Sequence, residues 1–286
     1  MAGCCSPEFP VLQAGSNSGA RLVARLVALL FAVAVWCAGS VGDAQAQTQA
    51  QVQAQAQTQP RHTGHPRLLL TRTSVEVIRA GLGQAPLFDQ ALQRAVQEVD
   101  REIANGLEVP VPRDFSGGYT HERHKRNFFV AHKAALLYQI LDDSRYGQYV
   151  RDMLLEYAAL YPTLPLHPRE RSYARGRLFW QCLNDANWLL YMAQAYDAVY
   201  DFLEPGERDQ IEQDLFRPFA DFISLENPQF YNRIHNHSAW GSAAVGMIGL
   251  AMRDAELIDR ALFGFQSTVA SGARDNDGGL IATEEQ

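Results

Sequence analysis

The sequence predicts an all-α fold of stacked αα-hairpins. Helical periods dominate the chain, and the segments that carry them are joined by short turns. No strand-period segment stands out beyond the short run Leu68–Thr71. Ser74–Gly81 and Phe88–Asn105 read as the first helices. Asn127–Leu141 places Ala131, Ala135 and Tyr138 on one side and closes at Asp142-Asp143-Ser144. Tyr146, Tyr149, Val150, Met153, Leu154 and Tyr157 then follow the i, i+3, i+4, i+7 rule, before a loop bearing Pro162, Pro165 and Pro168. Trp180–Phe202 is apolar on two sides, with Leu183, Ala186, Leu190 and Ala193 on one and Trp188, Met192, Tyr196 and Tyr200 on the other. A helix that apolar needs neighbours around most of its circumference. Pro205-Gly206 ends it. Glu207–Leu225 carries Ile211, Leu215, Phe219 and Phe222, with a kink expected at Pro218. Ser238–Met252 carries Trp240, Ala244, Met247 and Ala251, and Asp254 is placed to cap a last helix with Leu257, Ile258, Ala261, Leu262 and Phe265. Hairpins of this kind close into a toroid or stack into a solenoid; the lack of a fixed-length repeat weighs against the solenoid.

At 286 residues the chain has room for one large domain or two small ones, and an apolar fraction of 47% is ample for a core. Residues 1–46 read as a signal region: Arg21 and Arg25 precede the apolar run Leu26–Val35, and small residues follow at Ala38–Ser40 and Ala44–Ala46. Leu26–Ala38 is short for a bilayer core of about 30 Å, so export to the periplasm or medium is expected, with no stable membrane insertion after cleavage. Residues 47–64 form an Ala/Gln-rich stretch with almost nothing to bury, a disordered linker. The folded part is therefore 65–286. Only Cys182 survives removal of the leader, and it reads as a buried core thiol.

The formal charge of −7 argues against a nucleic-acid binder, which needs a broad cationic surface. Yet three segments ahead of helices concentrate cations and donors. The first is the Gly117–Asn127 loop, with His121, Glu122, Arg123, His124 and Lys125. The second runs from Arg169 to Arg177, with four arginines around Tyr173. The third is Tyr231–Trp240, which packs amides, a guanidinium, His235, His237 and an indole into ten residues. If the three converge, they form a local positive pocket for a carboxylate-bearing ligand. Each also has a plainer reading: solvated or paired arginines, an exposed helix start, an N-cap at Asn236, a partly buried His237. His235 and His237 could form a metal pair, but no third ligand stands at helical or strand spacing, and no metal is expected. Asp275-Asn276-Asp277-Gly278-Gly279 fails the EF-hand spacing and reads as a turn.

Four blocks in order, His65–Thr71, Gly117–Asn127, Gly176–Gln181 and Asn232–Trp240, together resemble the helical domain of the alginate lyases. The relatives are oligoalginate lyases with an associated heparinase II/III-like domain. The resemblance implies an incomplete (α/α) toroid followed by antiparallel β domains, and β-elimination on a uronate polymer. It implies no metal or organic cofactor; the partner is an acidic polysaccharide or oligosaccharide. Carried over by position, Asn236 matches the amide that neutralises the uronate carboxylate, and His237 the histidine that assists it or acts as base. Arg177, His121, Lys125 and Asn127 resemble substrate-contact positions, and His235 and Trp240 are counted with them. Family members continue for several hundred residues, through a Gly-Tyr-Tyr-rich segment whose tyrosine transfers the proton. No tyrosine follows Tyr231 here, and the chain reads to Gln286. The expectation is a truncated lyase, weak or inactive as it stands, with the β domains absent. Two alternatives stay open. One is a non-catalytic glycan-binding helical domain. The other is an inverting glycosidase, which needs two carboxyls roughly 6.5–9.5 Å apart, where these polar segments are cationic.

Overall fold

Among the described residues the regular structure is ten α-helices with short 3-10 and π turns, and no strand occurs. The computed structural model describes residues 64–169, 174–233 and 235–264. The expected signal region, nearly all of the linker and the Asp275–Gly279 turn lie outside the described residues. Leu68–Thr71, the one strand-like run, is consumed differently: the Leu68 N–H bonds Asp197, and Thr71 caps the first helix by accepting from the Ser74 N–H.

That helix, α1, spans Arg72–Ala80, and α2 spans Pro86–Asn105. They flank α3 (Tyr119–Leu141), which turns sharply through Asp142, a left-handed residue at φ 58°, into α4 (Ser144–Leu160) capped by Asp143. Next come α5 (Cys182–Val199) and a long return helix built from α6 (Pro205–Ile211) and α7 (Arg217–Asp221). The chain stays helical through Pro218 because wider π turns at Glu212–Phe216 and Phe222–Glu226 absorb the misfit; the Arg217 N–H reaches back to the Glu212 carbonyl. One turn, α8 (Pro228–Tyr231), leads to α9 (Asn236–Met252), and α10 (Ala255–Phe263) is capped by Asp254, which accepts from the Leu257 N–H.

Side-chain pairs fix the directions. His132 meets Gln194 and Gln139 reaches the Ala198 carbonyl, so α3 and α5 run parallel. Trp188 stacks on Phe219 at 4.9 Å and Tyr196 meets Phe216, so the return helix runs antiparallel to α5. Ile223 at its far end, with Phe230 and Tyr231 of α8, packs against Gly241 near the start of α9. The N-terminal ends of α3, α5 and α9 therefore share one end of a helical layer. The apolar circumference of α5 is covered as its sequence demands: Trp188, Leu189, Met192 and Tyr196 are all fully buried, and burial pushes the Cys182 thiol well up. No helix among the described residues is long and apolar enough to cross a membrane.

Asp197 ties the chain entry to this layer. One of its oxygens meets His65 Nδ1 at 2.6 Å, the other accepts the Arg67 and Leu68 N–H groups at 2.8 Å, and Tyr200 stacks on the His65 ring. Replacing Asp197 by alanine leaves these buried donors without an acceptor and is expected to cost about 3 kcal/mol. Urea unfolding measures this, and Asp197→Asn should lose less.

Candidate functional site

The Gly117–Asn127 segment is not a loop but the first turns of α3. Asp114, just upstream, accepts both the Thr120 N–H and hydroxyl at 2.9 Å, so an acceptor from outside the segment caps the helix and lets it start at Tyr119. Helical spacing then separates its residues by face. Lys125 stays half-exposed and pairs with Glu122 at 3.0 Å. His121 is 3% exposed, edge-on to Phe179 at 5.0 Å, with its Nδ1 lacking a partner. Asn127 points inward, donating to the Glu108 carbonyl at 2.8 Å and to the Tyr157 hydroxyl at 3.1 Å.

The approach to α5 is held by a carboxylate that reading the sequence passed over. Asp185, in the first turn of α5, is fully buried and accepts the Arg177 and Phe179 N–H groups at 2.8 Å, with the Leu178 N–H adding to them. Burial pushes its carboxyl up to about 8, while those N–H groups and the Arg177 guanidinium pull it down. The wrap is tight enough to require Gly176: a Cβ there would stand 2.3 Å from the Phe179 carbonyl and 2.6 Å from Asp185 Oδ2. Arg177 leaves this clamp with its guanidinium over Phe222 at 4.7 Å and Nη2 on both oxygens of Glu226, at 2.9 and 3.2 Å.

At α9 the cap is His235 rather than Asn236. Its Nδ1 accepts the His237 N–H and its carbonyl accepts the Ser238 N–H, which makes Asn236 the first helical residue, exposed at the N-terminal end of α9. His235 and His237 face each other edge-on at 4.4 Å, and burial, then the His235 ring, hold the His237 imidazole below its ordinary value. Trp240, 38% exposed, lies one turn further along α9. Arg177, Lys125, His235, Asn236 and His237 thus sit at one end of the α3–α5–α9 layer, whereas Asn127 serves the packing beneath it. The signal for Asp185 was available: it lies three residues before Trp188 and seven before Met192, on the buried face of an apolar helix.

Beneath the site lies a second histidine group. His124, fully buried, bonds the Tyr157 hydroxyl through Nδ1 at 2.8 Å; buried His167 accepts the Arg169 N–H on Nδ1. Burial lowers His124 to about 3 and His167 to about 4, and lowers His121 as well. These rings bind a proton more readily once the chain unfolds. Their contribution is therefore complete above the unfolded value near 6.5 and is lost as pH falls from there toward 4. Each ring adds a slope approaching about 1.4 kcal/mol per pH unit. Denaturant midpoints should drop steeply between pH 6.5 and 4.5, and the drop should shrink in His124→Gln.

Cations, an amide and imidazoles thus stand at the starts of three neighbouring helices, α3, α5 and α9. The family model described as alginate lyase matches residues 120–285, and the chain belongs to that family. It is 42% identical over 209 residues to an exo-oligoalginate lyase of Saccharophagus degradans, covering 73% of this chain and 28% of that protein. It is 46% identical over 181 residues to an alginate lyase of Stenotrophomonas maltophilia, covering 63% of this chain and 24% of that one. The chain spans about a quarter of the length of the curated relatives it matches.

Proposed function

We propose that this chain forms the helical, substrate-gripping part of an exported polysaccharide lyase that cleaves alginate or oligoalginate by β-elimination, its hairpins building part of an (α/α) toroid. The observation that carries the reading is the Asn236–His237 pair on the first turn of α9. An amide and an imidazole stand there at the positive end of a 17-residue helix, a setting that favours a bound carboxylate. The chemistry needs such a setting. Removing the C5 proton of a uronate places a second negative charge beside the carboxylate, so that carboxylate must first be neutralised. Asn236 supplies donors to it, and Arg177 and Lys125 supply charge. His237, its imidazole held below its ordinary value by burial and by His235, is suited to take the proton as the C4–O4 bond breaks and a C4–C5 double bond forms. An acid from elsewhere protonates the departing O4. Preorganised donors at such a carboxylate are worth about 3–4 kcal/mol of barrier each.

The test is to incubate the purified chain with oligoalginate and follow the absorbance of the unsaturated sugar. Product formation supports the lyase. Binding without product points to a glycan-binding domain. Reducing sugar without the chromophore points to a hydrolase and sinks the proposal.

A further inference from the structure

We infer that Glu226 is an internal stand-in for the substrate carboxylate, occupying Arg177 until an acidic sugar displaces it. The inference rests on the reading of Arg177 as a uronate contact. Three features of the pair separate it from an ordinary structural ion pair.

First, Arg177 does not need Glu226 to hold its place. Asp185 grips its backbone N–H, Gly176 lets the chain wrap that carboxylate, and Phe222 and Tyr161 lie under the guanidinium at 4.7 and 6.0 Å. Second, Glu226 uses the guanidinium poorly. Both of its oxygens share the single nitrogen Nη2, while Nε, the other donor of that edge, has no partner. A planar carboxylate seated squarely on that edge would take one oxygen to each nitrogen, the stronger arrangement. Third, Glu226 stands where a carboxylate is disfavoured. It is the last residue of the return helix, at the negative end of the helix dipole, and its side chain is 52% exposed, so it can swing into water. The stretch that follows it, Asn227 to His235, leads directly into the start of α9. A displaced Glu226 therefore vacates a cation at the same end of the layer as Asn236 and His237.

A neutral sugar offers nothing to replace Glu226 on the guanidinium, whereas a uronate does. Calorimetric titration of the whole chain with a uronate trisaccharide and with a neutral β-1,4-glucose trisaccharide tests this, using the parent chain, Glu226→Gln and Arg177→Ala. A half-exposed ion pair is worth up to about 1 kcal/mol, so Glu226→Gln should bind the uronate about two- to fivefold more tightly. The neutral sugar should bind the parent and Glu226→Gln alike, so the uronate preference should widen by the same factor. Arg177→Ala should weaken uronate binding and cancel the gain when combined with Glu226→Gln. Equal or weaker uronate binding by Glu226→Gln, with Arg177→Ala still impaired, would overturn the stand-in role and leave the lyase reading intact. Uronate binding indifferent to Arg177→Ala would overturn both.

Discussion

Asp185→Ala is expected to destabilise the protein by about 3–5 kcal/mol and to abolish uronate binding in whatever fraction stays folded. The carboxyl group is fully buried and gathers the N–H groups of Arg177, Leu178 and Phe179. Alanine leaves those donors inside the protein with no acceptor and opens a void against Gly176. Asp185→Asn keeps the shape and one full acceptor, but its NH2 cannot accept an N–H as the carboxyl's second oxygen does, so an intermediate loss is expected. The two variants also differ from the parent in pH dependence. A carboxyl raised to about 8 by burial holds a proton in the folded chain, between about 4 and 8, that the unfolded chain has released. Its contribution to stability therefore declines as pH rises through that window. Chemical denaturation at pH 5 and pH 8 should reveal this decline in the parent, opposing the trend from His124 and His167, and should reveal its absence in Asp185→Asn.

The second large effect concerns the first turn of α9. If the chain turns over oligoalginate, His237→Ala should lower kcat by about 10²–10⁴-fold, the range for a lost proton-transfer group. Asn236→Ala should lower it by about 10²–10³-fold by exposing the uronate charge. Neither change should disturb the fold. Asn236 is exposed, and the α9 cap comes from the His235 side chain rather than from either residue. Circular dichroism and melting temperature check that point. A melting point lowered as far as by Asp185→Ala would mean that the pair serves structure rather than chemistry.

Most of the helical architecture was legible in the chain because its periods are long and its stops are strong. The two-sided apolar pattern of 180–202 gave α5 to within two or three residues, and Asp254 capped α10 as its position implied. What escaped was local competition for backbone donors. The start of α3 was hidden because its cap comes from Asp114, outside the segment, with Phe115, Ser116 and two glycines between it and Tyr119. The same blindness put the α9 cap at Asn236 instead of His235: an imidazole is an uncommon cap, and only geometry reveals its nitrogen on the His237 N–H. The cationic segments were legible, but the carboxylate partner of Arg177, Glu226, was not. Glu226 lies 49 residues from Arg177 in sequence, and only the antiparallel return helix brings it back. Asn127 illustrates the converse: a polar residue in a polar segment that helical phase turns toward Tyr157.

The central claim is that polar groups from the starts of α3, α5 and α9 hold one acidic sugar. Hydrogen–deuterium exchange of the intact chain, with and without a uronate oligosaccharide, tests it most directly. Protection should appear together at residues 117–126, 174–181 and 235–241, with little change along α2 or the middle of α4. Protection confined to one of these segments, or centred on the outer hollow lined by Ile103, Leu107, Tyr149 and Leu155, would contradict it.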